Sequence, residues 1–156
     1  THFLQMLHRT EGFPATVLRF FLVYGPDQGM ERFIPQVLNG CLKDEMVPVS
    51  HGQQLRDFCY IDDIVEGVFA VLANENTRGE VINLASGNPI KIREVVELIR
   101  SVVGTGKIRF GEIPSRKGES DALYADISKA RKLLNWQPKV SLPRGISKTV
   151  ASYKKI

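Results

Sequence analysis

The sequence lacks most of the motifs by which a small enzyme declares its chemistry. It has no GxGxxG turn for a dinucleotide, no GxxxxGK[ST] loop and no GxSxG elbow. GTGK at 104–107 sits at the end of a helical pattern and lacks P-loop spacing, so it reads as a turn. The three histidines, His2, His8 and His51, have no serine or cysteine partner, and His2 and His8 fall on a helical pattern as surface residues. Cysteine is scarce. Cys41 and Cys59 each lie in an apolar run with no CxxC and no nearby histidine, which predicts buried thiols in a reducing, cytoplasmic setting rather than metal ligands. No metal site is expected, because no cluster of His, Cys or acids shows ligand spacing. No apolar run approaches the roughly 18 residues of a membrane span, and Thr1 opens no leader-like stretch, so no membrane partner is expected. A strong charge excess is missing too. The net charge is +4, and the basic residues alternate with acids through KIREVVELIR and SKARKLLNW, which argues against nucleic acid. An anionic small ligand needs only two or three such cations.

What is present is an alternation of strand and helix patterns. THFLQMLHRTEG has Phe3, Leu4 and Leu7 at helical spacing, opens without a cap and stops at Gly12. FPATVLRFFLVYG is a continuous apolar run, predicting one fully buried parallel strand. A helix in ERFIPQVLNGCL tolerates Pro35 near its first turn, and VPVS reads as a strand fragment. After GQQLRDFCYIDD, either Asp62 or Asp63 is expected to cap a helix with Ile64, Val65, Val68, Phe69 and Leu72 on one apolar face. VINLA predicts a second buried strand. IREVVELIRSVVG predicts a helix with Val95, Val96, Ile99 and Val103 inward and Gly104 as its stop. KIRF reads as a strand, ADISKARKLL as a helix capped by Asp126, and a last helix starts near Ser141-Leu142-Pro143 and runs into the lysine-rich end. The class is α/β.

The candidate functional residues are cations and strand-end polar groups. Arg19 lies inside an apolar strand and must be paired or stand at a sheet edge. Arg56 follows the turn at Gly52, Arg116 lies in the loop PSRKGESD, and Asn83 falls at the end of VINLA. Loops at the carboxyl ends of parallel strands bind ligands in such folds. Arginines gathered there can hold a diphosphate through forked, charge-assisted hydrogen bonds, or they can form ordinary ion pairs. The residues alone leave both readings open.

Five stretches in this order narrow the choice: LRFFLVYGP (18–26), RFIPQV (32–37), GQQLRDFCYIDDIVEGVF (52–69), EVINLASG (80–87) and RKGES…ADISKARKLLNWQP (116–138). Over nearly the whole chain they resemble the C-terminal half of the extended short-chain dehydrogenases, the NAD-dependent epimerases and dehydratases of nucleotide sugars. The resemblance implies the C-terminal part of a Rossmann-type fold with a small substrate-binding α/β subdomain. Residues 1–156 are then a single fragment, holding the last Rossmann strands and helices plus that subdomain, without the N-terminal cofactor-binding half. By resemblance, Phe21, Leu22 and Val23 line the cofactor site. Arg56 matches the arginine of the family's V-R-D-[FWY] motif on the substrate diphosphate, with Asp57 and Tyr60 for positioning and packing, and Arg116 the later arginine on the diphosphate's other side. Arg32 and Phe33 lie on the segment covering the nucleotide, Pro48, Val49 and Ser50 on the one beside the base. Asn83 matches the asparagine of the N-x-[AG] strand end.

Two departures matter. Leu22 stands where the family's LR-x-x-N strand has an amide, which leaves the sugar open. The Gly-rich turn and the Tyr-x-x-x-Lys pair of proton transfer are both absent, and the resemblance places them before residue 1. No catalytic residue is therefore assigned in this chain. The implied cofactor, NAD or NADP, belongs to the intact enzyme, and none is expected on this chain alone, which is expected to be inactive by itself. The partner is a nucleotide-sugar substrate, bound through its nucleoside diphosphate. A homo-oligomer or self-associating fragment is also expected, because the apolar strand at 16–25 would lack neighbours. The alternative is a non-catalytic nucleotide-binding or protein-interaction module built on the same fold.

Overall fold

Thr1 gives the first helix no side-chain cap, and Gly12 ends it at φ 67, a left-handed value that glycine adopts without strain. The computed structural model describes residues 1–154. Its elements, in chain order, are α1 (His2–Glu11), β1 (Val17–Phe20), β2 (Leu22–Tyr24), α2 (Phe33–Leu42), β3 (Met46–Val49), β4 (Leu55–Arg56), β5 (Phe58–Tyr60), α3 (Ile61–Leu72), a 3-10 turn (Glu75–Thr77), β6 (Val81–Leu84), β7 (Ile90–Lys91), α4 (Ile92–Val103), β8 (Lys107–Phe110), β9 (Ala122–Leu123), α5 (Ser128–Leu134) and α6 (Leu142–Tyr153). The expectation that α6 continues through the lysine-rich end reaches residues 155–156, outside those described. Among the described residues no helix is long and apolar enough to cross a membrane, and no group of three or more His, Cys, Asp or Glu could hold a metal ion.

The chain forms two compact units, each from three separated stretches. The first comprises Thr1–Val23, Asp57–Asn88 and Tyr124–Val140. Here β1 runs parallel to β6, with Val17 opposite Val81 and Phe20 opposite Leu84. Cys59, Ile64, Val71, Ile82, Leu84, Ala130 and Trp136 make its core, with Leu18 and Val23 packed against them. Gly67 on α3 faces this core: a Cβ there would stand 3.0 Å from Leu84 and 3.1 Å from Trp136, so glycine is what lets α3 lie this close.

Three expectations change in this unit. The apolar run 16–25 is two short strands broken at Phe21, not one buried strand; Phe20 keeps 50% of its surface and Leu22 38%. Among the described residues β1 pairs with β6 alone, so its other edge lies open, and Arg19 is correspondingly exposed. Helix α3 buries Asp63, Ile64, Gly67 and Val71, while Val65, Phe69 (67% exposed) and Leu72 (75%) stand on an uncovered second face. Neither Asp62 nor Asp63 is the helix cap, because Tyr60 holds that position. The buried Asp63 carboxylate instead accepts the N–H groups of Lys139 (3.0 Å) and Val140 (3.1 Å), and its carbonyl accepts the Trp136 indole N–H at 3.1 Å. Asp126 does serve the start of α5 from one residue outside, accepting the Ser128 N–H at 2.8 Å; these bonds lower its pKa.

The second unit comprises Tyr24–Arg56, Pro89–Leu123 and the stretch from Ser141. Strands β3 and β8 pair in parallel, with Val49 opposite Phe110. Helices α2 and α6 both pack against α4, whose inward Val95, Val96 and Ile99 are completely buried. Gly104 ends α4 at φ 90, as its position after the last apolar residue predicts. Both cysteines are free and buried, one in each unit.

Candidate functional site

Arg56 is one of few charged side chains buried in this chain, at 8% exposure. Its strand, β4, is two residues long and lies between β7, antiparallel to it, and β9, parallel to it. That three-strand frame carries the guanidinium inward, where it requires partners. Its Nη2 meets Glu119 Oε1 at 2.5 Å and its Nη1 donates to the Leu55 carbonyl at 2.8 Å. A guanidinium has five N–H donors in a fixed fork, and these bonds direct two of its three nitrogens.

The loop bearing Glu119 also carries Arg116. The Glu119 N–H donates to the Arg116 carbonyl at 3.0 Å, closing a turn in which Gly118 has φ 78, the left-handed value a type II turn needs at its third residue. Beyond the turn, the Leu55 N–H donates to the Asp121 carbonyl at 2.7 Å, so the loop is tied back onto β4. The Arg116 side chain is exposed, and no ion pair holds it among the described residues.

The other candidates divide between the units. Arg32 is the residue before α2, exposed, with Nε 3.5 Å from Glu31; Phe33 opens the helix half-buried. On and just after β3, Pro48 is exposed, Val49 buried, and the Ser50 hydroxyl accepts from Gln54 Nε2 at 3.3 Å. These residues and both arginines, 56 and 116, belong to the second unit. Asn83 lies in the first, donating its side-chain amide to the Asp126 carbonyl at 3.0 Å. Phe21, Leu22 and Val23 lie there as well. Phe21 packs on Ala85, Ala125 and Ile127, Val23 packs into the main core, and Leu22 presents an exposed side chain. A nicotinamide ring would find an apolar contact at Leu22, but this trio has no side-chain polar group for a pyrophosphate.

Sequence reasoning gave Asp57 a positioning role by resemblance but named none of its partners, and it missed Glu119 and Arg93 altogether. Asp57, completely buried, accepts four bonds: from Ser86 N (2.7 Å), Ser86 Oγ (2.6 Å), Gly87 N (2.9 Å) and Ala125 N (3.2 Å). It ties the loop after β6 to the stretch before α5. The signal was available, since an acid set among Phe58, Cys59 and Tyr60 must find donors once buried. Glu119 was missed because its partner lies 63 residues away. Arg93 was missed too: its guanidinium stacks 3.6 Å from the centre of the Phe110 ring, beside β3 in the second unit. Between the two buried acids of the first unit, the Cys59 thiol is pushed up to about 12, by burial first and then by the Asp63 and Asp57 charges.

Parallel strand pairs with flanking helices follow the architecture of the Rossmann-type extended short-chain dehydrogenases. The chain belongs to the family described as GDP-mannose 4,6 dehydratase, whose model matches residues 1–149. It is 36% identical over 145 residues to the UDP-glucuronate 4-epimerase of Thermodesulfobacterium geofontis, covering 92% of this chain and 44% of that one. It is 30% identical over 154 residues to UDP-glucuronic acid decarboxylase 1 of Arabidopsis thaliana, covering 94% and 34%. The UDP-glucuronic acid 4-epimerase of Bacillus cereus, solved with UDP-glucuronic acid and NAD, superposes with a TM-score of 0.89 at 32% identity, over 99% of this chain and 49% of that one. The chain thus spans less than half the length of these relatives, and it matches their C-terminal part.

Proposed function

We propose that this chain is the substrate-binding portion of an NAD(P)-dependent nucleotide-sugar epimerase, dehydratase or reductase, and that it grips the nucleoside diphosphate of the sugar. The observation that carries the reading is Arg56: a nearly buried guanidinium on a two-strand-flanked β4, within a chain of this family. A diphosphate is the anion that a forked guanidinium binds best. Arg116, from the neighbouring turn, supplies a second cation. Val49 and Ser50, near the Arg93–Phe110 stack, supply a wall for the base, and Arg32 and Phe33 a cover for the nucleotide. In an intact enzyme of this kind a nicotinamide cofactor takes and returns a hydride at a sugar carbon. This chain's contribution to that site is apolar contact at Phe21, Leu22 and Val23, since neither a glycine-rich turn nor a Tyr-x-x-x-Lys pair occurs in it.

Calorimetry of the chain with UDP tests the reading. Arg56→Ala should weaken UDP binding roughly ten- to a hundredfold, or about 1.5–3 kcal/mol for a hydrogen bond to a charged group. Arg56→Lys should recover only part, because lysine keeps the charge and loses the fork. The Glu119 pair favours a second reading, in which Arg56 is a structural ion pair. On that reading Arg56→Ala lowers stability and leaves UDP affinity where it was.

A further inference from the structure

Resting on the diphosphate reading above, we propose that Glu119 is the positioning residue of the clamp, setting Arg56 and Arg116 for one and the same nucleoside diphosphate. Its carboxylate takes Arg56 Nη2 at 2.5 Å, and its backbone N–H closes the turn that presents Arg116. One residue therefore bonds to both arginines, its side chain to the Arg56 guanidinium and its main-chain N–H to the Arg116 carbonyl.

The geometry decides between positioning and competition. A carboxylate on a ligand-binding arginine can be a placeholder that the incoming anion displaces, but a placeholder needs freedom to leave. Glu119 has little. The Glu119–Arg116 turn lies on its N-terminal side, Ser120 Oγ donates to the Ala122 carbonyl at 2.9 Å, and Asp121 is bonded to Leu55 on β4. From the next residue on, β9 is paired with β4 itself. The Glu119 side chain is 26% exposed and that of Arg56 9%. With Nη1 on the Leu55 carbonyl and Nη2 on Glu119, the fork has one orientation, and a phosphate meets a donor edge that is already aimed. Without the carboxylate, a buried guanidinium left with one carbonyl must turn toward water.

The test is titration with UDP and with UMP of the wild-type chain, Glu119→Gln and Arg56→Ala, alongside their thermal unfolding. Glu119→Gln keeps shape and loop but loses the charge. It should bind UDP at least tenfold more weakly and lose most of the preference for UDP over UMP, with its melting transition little changed. A role confined to stability would move the melting transition and spare that preference. If Glu119→Gln binds UDP as well as wild type, or more tightly, while Arg56→Ala binds it poorly, Glu119 is a bystander or a competitor and the inference falls, with the diphosphate reading intact. If Arg56→Ala also binds UDP normally, the diphosphate reading falls first. Should Glu119→Gln fail to fold, Glu119→Asp, which retains the charge on a shorter arm, is read by the same affinity ratio: a reduced UDP preference supports positioning and an unchanged one overturns it.

Discussion

Buried charge is handled here in two ways. Asp57 and Asp63 are surrounded by N–H and O–H donors, with no cation bonded to either carboxylate among the described residues. Such carboxylates are complete, and their work is to join stretches distant in sequence. Arg56 is held at two nitrogens and has donors to spare. Between the two acids sits Cys59, and its titration gives a stability signature. Its thiol ionises near 9 when unfolded and only near 12 in the folded chain. Below the first value both states hold the proton and nothing depends on pH. Between the two, only the unfolded chain has released it, so stability falls as pH rises through that window. Urea unfolding of wild type and Cys59→Ala at stepped alkaline pH should show the steeper decline in wild type. Parallel declines would mean that the thiol ionises freely in the folded chain.

At the scale of elements, what the sequence disclosed and what it hid follow from periodicity. Helix α4 was legible because its apolar residues fall on one stripe and a glycine ends it. Helix α3 was not, because Ile64 and Val71 lie on one face while Val65, Phe69 and Leu72 lie about 100° round from it. Composition cannot say which face is covered. The strand run 16–25 hid its break for a similar reason: the five consecutive apolar residues Phe20 to Tyr24 carry no period to reveal that Phe21 leaves the sheet. Arg56 and Arg116 were legible as a motif, whereas Glu119 depends on a pairing that only the folded loop makes. The open edge of β1 has its own consequence. An apolar strand with Phe20 half exposed and one side unpaired is a template for another strand. We expect self-association at micromolar concentration, and Phe20→Lys should shift sedimentation toward the monomer without unfolding the chain. A wild-type monomer in the centrifuge would sink this.

For the molecule as a whole, the division of labour expected of the family predicts an asymmetry in ligand binding. The chain carries cations suited to a nucleoside diphosphate but no glycine turn to set backbone N–H groups and a helix terminus on a dinucleotide's pyrophosphate. Titration of these 156 residues with NAD should therefore give no measurable binding at micromolar concentrations, under conditions where UDP binds. Micromolar NAD affinity would mean that the chain holds a dinucleotide site of another design.

The three-stretch construction of each unit bears on how the protein is made. The first unit closes when Lys139 and Val140 reach Asp63, across 76 and 77 residues; the second draws Tyr153 back to Gln28, across 125. A ribosome that has released residue 123 has delivered the last stretch of neither unit. Until then, β1, β6 and the apolar faces of α3 and α4 emerge without their final partners, and loop closure over such spans is slow. The nascent chain is thus most exposed to aggregation and proteolysis while residues 124–154 are still to come, and neither unit is complete before they emerge.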